Sequence, residues 1–184
     1  MRGLTIQGSL MPLRLPTAIR ANGPAAAAFI VAAGGTATIL GAYYFQYVLG
    51  LAPCPLCLEE RIPYYVSIPL ALVVGIAALR GAPRNVVRAG LAVIMVAMLI
   101  VAGMSIYHAG VEWKLWPGPT DCSGPVTGFG NAGSLLESME KTVVVRCDEA
   151  AWRLFGISLA GYDVFISLGL AVVALAGILA PKKA

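Results

Sequence analysis

The sequence predicts an all-α membrane protein, a four-helix bundle with two outward loops, and three observations carry that prediction. Of its 184 residues 59% are hydrophobic and only 12% charged, with a mean hydropathy of +0.82, far from the averages of soluble globular domains. Four apolar stretches, at about 25–48, 62–79, 89–107 and 162–180, approach or exceed the roughly 20 helical residues that cross a hydrocarbon core. The charges then divide by connection. Arg2, Arg14 and Arg20 precede the first stretch, Arg80, Arg84 and Arg88 lie between the second and third, and Lys182 and Lys183 follow the fourth. These regions hold eight of the thirteen basic residues and none of the nine acids. The positive-inside bias therefore expects both termini and the second connection on the cytoplasmic side.

Residues 1–24 read as a basic N-terminal extension, 25–180 as a single membrane domain with outward loops at about 49–61 and 108–161, and 181–184 as a cytoplasmic tail. Lipid offers the backbone no hydrogen bonds, so spans of this length mean helices, not barrel strands. The first apolar run is too long for a typical signal-peptide core and is read as a retained span; a start at Met11 leaves the topology unchanged. Within it Ala33, Ala37 and Gly41 recur every four residues, a row of small residues expected to let helices approach closely. The net charge of +4 follows from the topology and points to no nucleic acid. No internal repeat or soluble second domain is visible.

The segment Ala52-Pro-Cys-Pro-Leu-Cys-Leu-Glu-Glu-Arg61 gathers two cysteines, two carboxylates and an arginine at the outer end of the second span. Cys54-Pro-Leu-Cys57 is a C-x-x-C with Pro55 suited to the first position of a helix that continues into the span. That placement aims a positive helix end at the thiols and favours thiolate. A structural clip and half of a zinc site use the same motif, but a bridge over two residues gains little loop entropy.

Cys122 and Cys147, with 24 residues between them, both fall in the second outward loop, a spacing poor for a compact zinc module, and no resident metal is expected. All four cysteines thus face the side where disulfides persist. Three pairings are open; spacing favours Cys54 with Cys57 and Cys122 with Cys147. Cys122 lies in a stretch, Trp116 to Gly130, whose three prolines and four glycines forbid regular structure. Downstream, Ser134-Leu-Leu-Glu137 fits a capping box. Leu135, Leu136, Met139 and Val143 share one face of a short amphipathic helix, either lying on the membrane surface or packed on the bundle top. One cysteine pair is thus within reach of a lipid-soluble carrier and the other of a soluble protein. That arrangement suits a two-electron relay through mixed disulfides, and the chain has no haem-attachment, dinucleotide or iron–sulfur motif to serve as final acceptor.

These residues resemble the disulfide bond formation protein B (DsbB) family of bacterial inner-membrane thiol:quinone oxidoreductases. The resemblance rests on Cys54-x-x-Cys57-x-x-Glu60-Arg61, on Cys122 after a proline-rich turn, and on the run from Cys147 through Trp152 and Gly156 to Tyr162, and it covers about residues 25–180. The order of the cysteines separates the chain from vitamin K epoxide reductase-like proteins, whose C-x-x-C follows the loop pair. The resemblance implies that Cys122 takes a mixed disulfide with a periplasmic DsbA-like thioredoxin-fold oxidase, Cys147 resolves it and attacks Cys54, and Cys57 meets ubiquinone or menaquinone. In this light Arg61 is expected to hydrogen-bond a quinone carbonyl, the alternative being a snorkelling side chain paired to Glu59 or Glu60. His108, the only histidine, is expected at the second carbonyl or in a proton relay, or else as an interfacial residue without a role. Trp113, Trp116, Trp152 and Tyr162 read as an aromatic belt. Three features depart from the family pattern: Pro63 and Pro69, expected to kink the second span, Glu59 where some relatives are aromatic, and the basic extension before Ala25.

Overall fold

The computed structural model describes residues 23–119 and 147–181. Cys122, the capping-box helix expected near 134–143 and the terminal basic residues lie outside the described residues. Most of the described residues form four helices, each long and apolar enough to cross a membrane. Helix α1 (Gly23–Tyr43) continues through a wider π-type turn at Tyr44–Val48, followed by α2 (Pro55–Leu79), α3 (Arg84–Glu112) and α4 (Leu159–Leu179). Each helix packs mainly on its neighbours in cyclic order, α1 on α2, α2 on α3, α3 on α4 and α4 back on α1. The result is an up-and-down bundle.

The bundle is apolar inside and out. Ala28, Val31, Leu91, Ile94, Met98, Val101 and Ala174 fill the axis, while Leu40, Val66, Val73, Val93, Phe165 and Val172 point outward, where only lipid could cover them. Small residues set the helix separations. Gly35 of α1 lies against Tyr64 and Ile68, Gly75 of α2 against Phe29, and Gly177 of α4 against Ala27 and Leu91. The row expected to do this in α1 does not: Ala33 and Ala37 are exposed, and Gly41 has no neighbour within 4 Å of an added Cβ. Helix α1 is so rich in alanine and glycine that several four-residue rows of small residues exist. The bulky Tyr64 and Ile68 select the row containing Gly35.

Polar groups inside the spans are satisfied locally. Thr36, Thr38 and Ser167 donate to carbonyls one turn back, at 2.7, 2.9 and 2.6 Å. At the end remote from the C-x-x-C, Arg84 donates to the Ala180 carbonyl at 2.6 Å and Arg88 to Ile178 at 2.8 Å, so the last turn of α4 is capped by side chains of α3. Helix α2 runs unbroken through Pro63 and Pro69 and begins seven residues before the apolar run, at Pro55, because Cys54 supplies its N-cap. The expected entry of Pro55 at the first helical position is observed. A short hairpin unforeseen from the sequence, β1 (Arg153–Leu154) antiparallel to β2 (Ile157–Ser158), turns the chain into α4. Phe155 and Gly156 both adopt positive φ, 49° and 80°, as a tight two-residue connection requires, and Ser158 caps α4 through Gly161 N–H at 3.2 Å.

A side chain at Gly177 has no room: an added Cβ sits 2.6 Å from Ala27 Cβ and 3.0 Å from Leu91 Cδ1, whereas Gly103 faces open space. Gly177→Leu is expected to lower the unfolding free energy in detergent by about 1–3 kcal/mol, and Gly103→Leu to leave it nearly unchanged. Thermal unfolding of both variants checks this, and equal melting temperatures would remove the close α1–α4 approach from the account.

Candidate functional site

The first turn of α2 is shaped by its own cysteines. Cys54, in extended conformation as the N-cap, accepts the Cys57 backbone N–H at 3.3 Å on its sulfur, and Pro55 needs no partner for the hydrogen it lacks. The turn brings the two Sγ atoms to 2.8 Å, so the pair favoured by spacing is in contact. Cys54 is buried and Cys57 half-buried. The hydrogen bond with the Cys57 thiol holds the Cys54 thiol below its ordinary range, against the burial that pushes it up.

One helical turn below, Glu60 is buried while its neighbour Glu59 is exposed. The last turns of α3 carry His108 opposite it. His108 Nδ1 lies 3.0 Å from Glu60 Oε1, which assigns the ring proton to Nδ1 and leaves Nε2 facing Cys54 Sγ at 3.5 Å. Glu112, one turn further along α3, places Oε1 3.8 Å from the same Nε2, and its Oε2 has no hydrogen-bond partner among the described residues. A thiol, an imidazole and two carboxylates are thus packed together at one end of the bundle.

Arg61 is also buried, 9% exposed, and it pairs with neither Glu59 nor Glu60. Its Nη1 donates to Gln46 Oε1 at 2.7 Å, and the guanidinium sits 5.5 Å from the centre of the Tyr43 ring. Tyr43 in turn meets Tyr65 through their hydroxyls at 2.9 Å. A turn deeper, Asp163 of α4 accepts Tyr64 Oη on one oxygen and Ser105 Oγ on the other, each at 2.8 Å, and so ties three helices together.

Cys54, Cys57, Glu60, Arg61, Tyr64, Gln46, His108, Glu112 and Asp163 all border one cavity of about 390 Å³. The cysteines, Glu60, Arg61, His108 and Glu112 line it toward the loops, and Ile39, Ala42, Phe45 and Ile166 give it apolar walls. Trp152, expected in an aromatic belt, stands against Phe45 with ring centres 4.9 Å apart and lines the cavity, as does Tyr162. Trp116 folds back on α3, stacked with Tyr107 at 6.1 Å and donating to its carbonyl, and Trp113 is exposed.

Among the expected site residues, the structure brings Cys54, Cys57, Arg61, His108 and Cys147 to this one end. Cys147 is disulfide-bonded, 1% exposed, and packed with Cys54 and Val111 in a small buried cluster. Cys122 lies outside the described residues. Sequence reasoning passed over Glu112, Tyr64, Gln46 and Asp163. Asp163 carried a usable signal, being the only acid inside a predicted span, where ionisable residues are costly and face the bundle interior. Glu112 did too, four residues after His108 on the same helix face.

A sequence profile of the family described as Disulfide bond formation protein DsbB matches residues 24–177. The chain is 28% identical over 156 residues to Disulfide bond formation protein B of Stutzerimonas stutzeri, covering 80% of this chain and 90% of that protein. It is 32% identical over 155 residues to Disulfide bond formation protein B 2 of Pseudomonas syringae, covering 80% and 84%. A third relative, Disulfide bond formation protein B of Marinobacter nauticus, is 32% identical over 152 residues, covering 76% and 82%. No solved structure matches the chain significantly.

Removing the Asp163 carboxylate strands two buried hydroxyls. Asp163→Leu is expected to cost about 1–2 kcal/mol of stability, the scale of hydrogen bonds between membrane helices. Tyr64→Phe should cost less in that background than in the parent, and a double-mutant cycle by thermal unfolding reads the difference. Strict additivity would show that Asp163 and Tyr64 are not coupled.

Proposed function

The chain belongs to the disulfide bond formation protein B (DsbB) family, and from that premise we propose that it reoxidises a DsbA-like thioredoxin-fold oxidase by relaying two electrons through two cysteine pairs to a membrane quinone. The observation that carries this reading is the position of Cys54–Cys57: the pair borders the cavity on one side and packs against disulfide-bonded Cys147 on the other. The charge distribution supports a bacterial inner-membrane protein with its cysteine end in the periplasm.

In the proposed relay Cys122 and Cys147 form the outer pair. A thiolate of the reduced partner attacks Cys122 and frees Cys147 as thiolate. Cys147 then attacks Cys54 of an oxidised Cys54–Cys57 pair, and Cys57 leaves as thiolate beside the cavity, at the positive end of α2. Buried Cys54 suits the first of these roles and half-buried, cavity-lining Cys57 the second. The partner's second thiolate attacks its own sulfur in the mixed disulfide and releases Cys122, and Cys122 attacks Cys147, which restores the outer disulfide and frees Cys54 to complete the inner dithiol.

The residues fit a quinone. A cavity of about 390 Å³ lies in the range of small-ligand sites, with polar groups at one end for a ring carbonyl and apolar walls for an isoprenoid tail. Bound ubiquinone or menaquinone supplies the acceptor for two electrons and two protons, so the sum is dithiol plus quinone to disulfide plus quinol. Arg61 holds a fixed positive charge at the cavity wall, already oriented by Gln46 and Tyr43, suited to a carbonyl oxygen on which negative charge develops. His108, oriented by Glu60, is placed to accept the Cys54 proton and keep it within the bundle.

The test is direct. Purified protein given a reduced DsbA-like oxidase and a soluble quinone should consume the quinone, read from its absorbance; no consumption with all four cysteines intact sinks the proposal. Cys122→Ser should abolish partner oxidation while the Cys54–Cys57 dithiol still reduces quinone in a single turnover, and loss of both reactions argues against this order. Arg61→Ala should raise the quinone KM about tenfold or more, as expected for losing a charge-assisted hydrogen bond. An unchanged KM takes Arg61 out of the quinone site.

A further inference from the structure

In its reduced form the C-x-x-C does not stand alone. Cys54 Sγ, Cys57 Sγ and one nitrogen of His108 all lie within 4.8 Å of one another, the separation at which three atoms can share one ion. Glu112 adds a fourth donor, with Oε1 3.8 Å from His108 Nε2. Its other oxygen is buried and unpartnered among the described residues, although Glu112 as a whole is only 8% exposed. Leaving a carboxylate oxygen buried without a partner is costly, and a cation is one way to satisfy it.

From these contacts we propose that the reduced Cys54–Cys57 pair, with His108 and Glu112, binds one zinc(II) ion, which holds the pair as a dithiolate and blocks its oxidation. Zinc takes four ligands in a tetrahedron, with bonds of about 2.3 Å to sulfur and about 2.0–2.1 Å to nitrogen, so neighbouring donors sit roughly 3.3–3.8 Å apart. The Cys54–His108 distance, 3.5 Å, already matches, and the 3.8 Å between His108 and Glu112 must close by about half an ångström. The 2.8 Å sulfur pair must open, which half-buried Cys57 can do by turning its side chain into the cavity, and the Glu112 carboxylate must swing toward the sulfurs to complete the four donors.

The surrounding groups fit the same role. His108 donates its other ring N–H to Glu60, the carboxylate–imidazole arrangement that fixes the tautomer of metal-ligating histidines and raises their basicity. Binding releases the two thiol protons, and the divalent charge offsets the two thiolates it creates. No electron moves. The oxidised pair offers no thiolate, so the site exists only in the reduced protein, and zinc competes with oxidation of the dithiol. The affinity is independent of the electron relay; only the consequence for turnover rests on the proposed function.

The experiment uses full-length protein in detergent, reduced with a phosphine, desalted without air and titrated with cobalt(II) as a spectroscopic stand-in. One equivalent should give thiolate-to-cobalt charge-transfer absorption and the visible bands of a four-coordinate ion, and zinc(II) should bleach both. Cys54→Ser and Cys57→Ser should each remove the charge-transfer band of this site, in the parent and in a Cys122→Ser, Cys147→Ser background that leaves no other thiols. His108→Ala should weaken cobalt binding, and Glu60→Gln should weaken it about 10–100-fold, the usual effect of losing such an outer carboxylate. Absence of the bands, their survival without Cys54 or Cys57, or an affinity unchanged by His108→Ala overturns the proposal. Neither quinone nor partner is present, so the outcome is separate from that of the relay assays.

Discussion

The cysteine end of this bundle depends on the contact between Glu60 and His108. Both side chains are buried, at 8% and 3% exposure, in surroundings where an unpaired charge or ring nitrogen is costly. Their 3.0 Å hydrogen bond therefore locks the register of α2 against α3. Glu60 follows Cys57 by three residues on a continuous helix, so fixing one places the other, and the ring that Glu60 orients turns its free nitrogen to Cys54. Remove the pairing and the C-x-x-C keeps its helix cap and its packing on Val111, but the imidazole beside Cys54 loses the partner that orients it.

From that contact the polar groups step downward along α2. Cys57, Glu60 with Arg61, and Tyr64 occupy successive turns, and the row spans about 10 Å at 1.5 Å per residue. Three different segments answer the last two of these turns: His108 on α3 and Gln46 at the end of α1 meet Glu60 and Arg61, and Asp163 on α4 meets Tyr64. A lone carboxylate at that depth would oppose packing. Given two hydroxyl donors, Asp163 instead joins α2, α3 and α4 and forms part of the cavity wall. The cavity is therefore bounded by partners that mostly satisfy one another, which lets an apolar bundle keep so polar a recess.

Much of the bundle was legible because lipid imposes a simple rule: runs of apolar residues long enough to span must be helices. The first turn of α2 was legible for a local reason, since Cys54-Pro-Leu-Cys57 encodes its own cap. What escaped reading was long-range. The choice of Gly35 over Gly41 as the close-approach glycine depends on where Tyr64 and Ile68 stand on another helix. Arg61 had two glutamates beside it in sequence, yet it turns to Gln46, fifteen residues away, because Glu60 is engaged by His108 across the bundle. Neighbours along a helix seldom share a face, and a pairing inferred from adjacency ignores that. The same rule would have linked His108 with Glu112.

Placing a dithiol at a helix N-terminus beside an imidazole has two chemical consequences that pull apart. Lower thiol pKa and a nearby base both raise the fraction of thiolate, which speeds exchange with another disulfide. Thiolate beside a neutral imidazole is also the donor set that borderline-soft cations prefer. The same thiolates and the same imidazole nitrogen serve both, so selectivity between them here comes from time and access. In the proposed relay the pair rests oxidised, with both sulfurs bonded to each other and neither available to a cation. It is a dithiol only between the arrival of electrons from Cys147 and their departure through the cavity. A filled cavity shortens that interval, and the buried position of Cys54 restricts entry from the loop side. The burial that lets Glu60 hold His108 therefore also limits access of competing ions to the reduced pair.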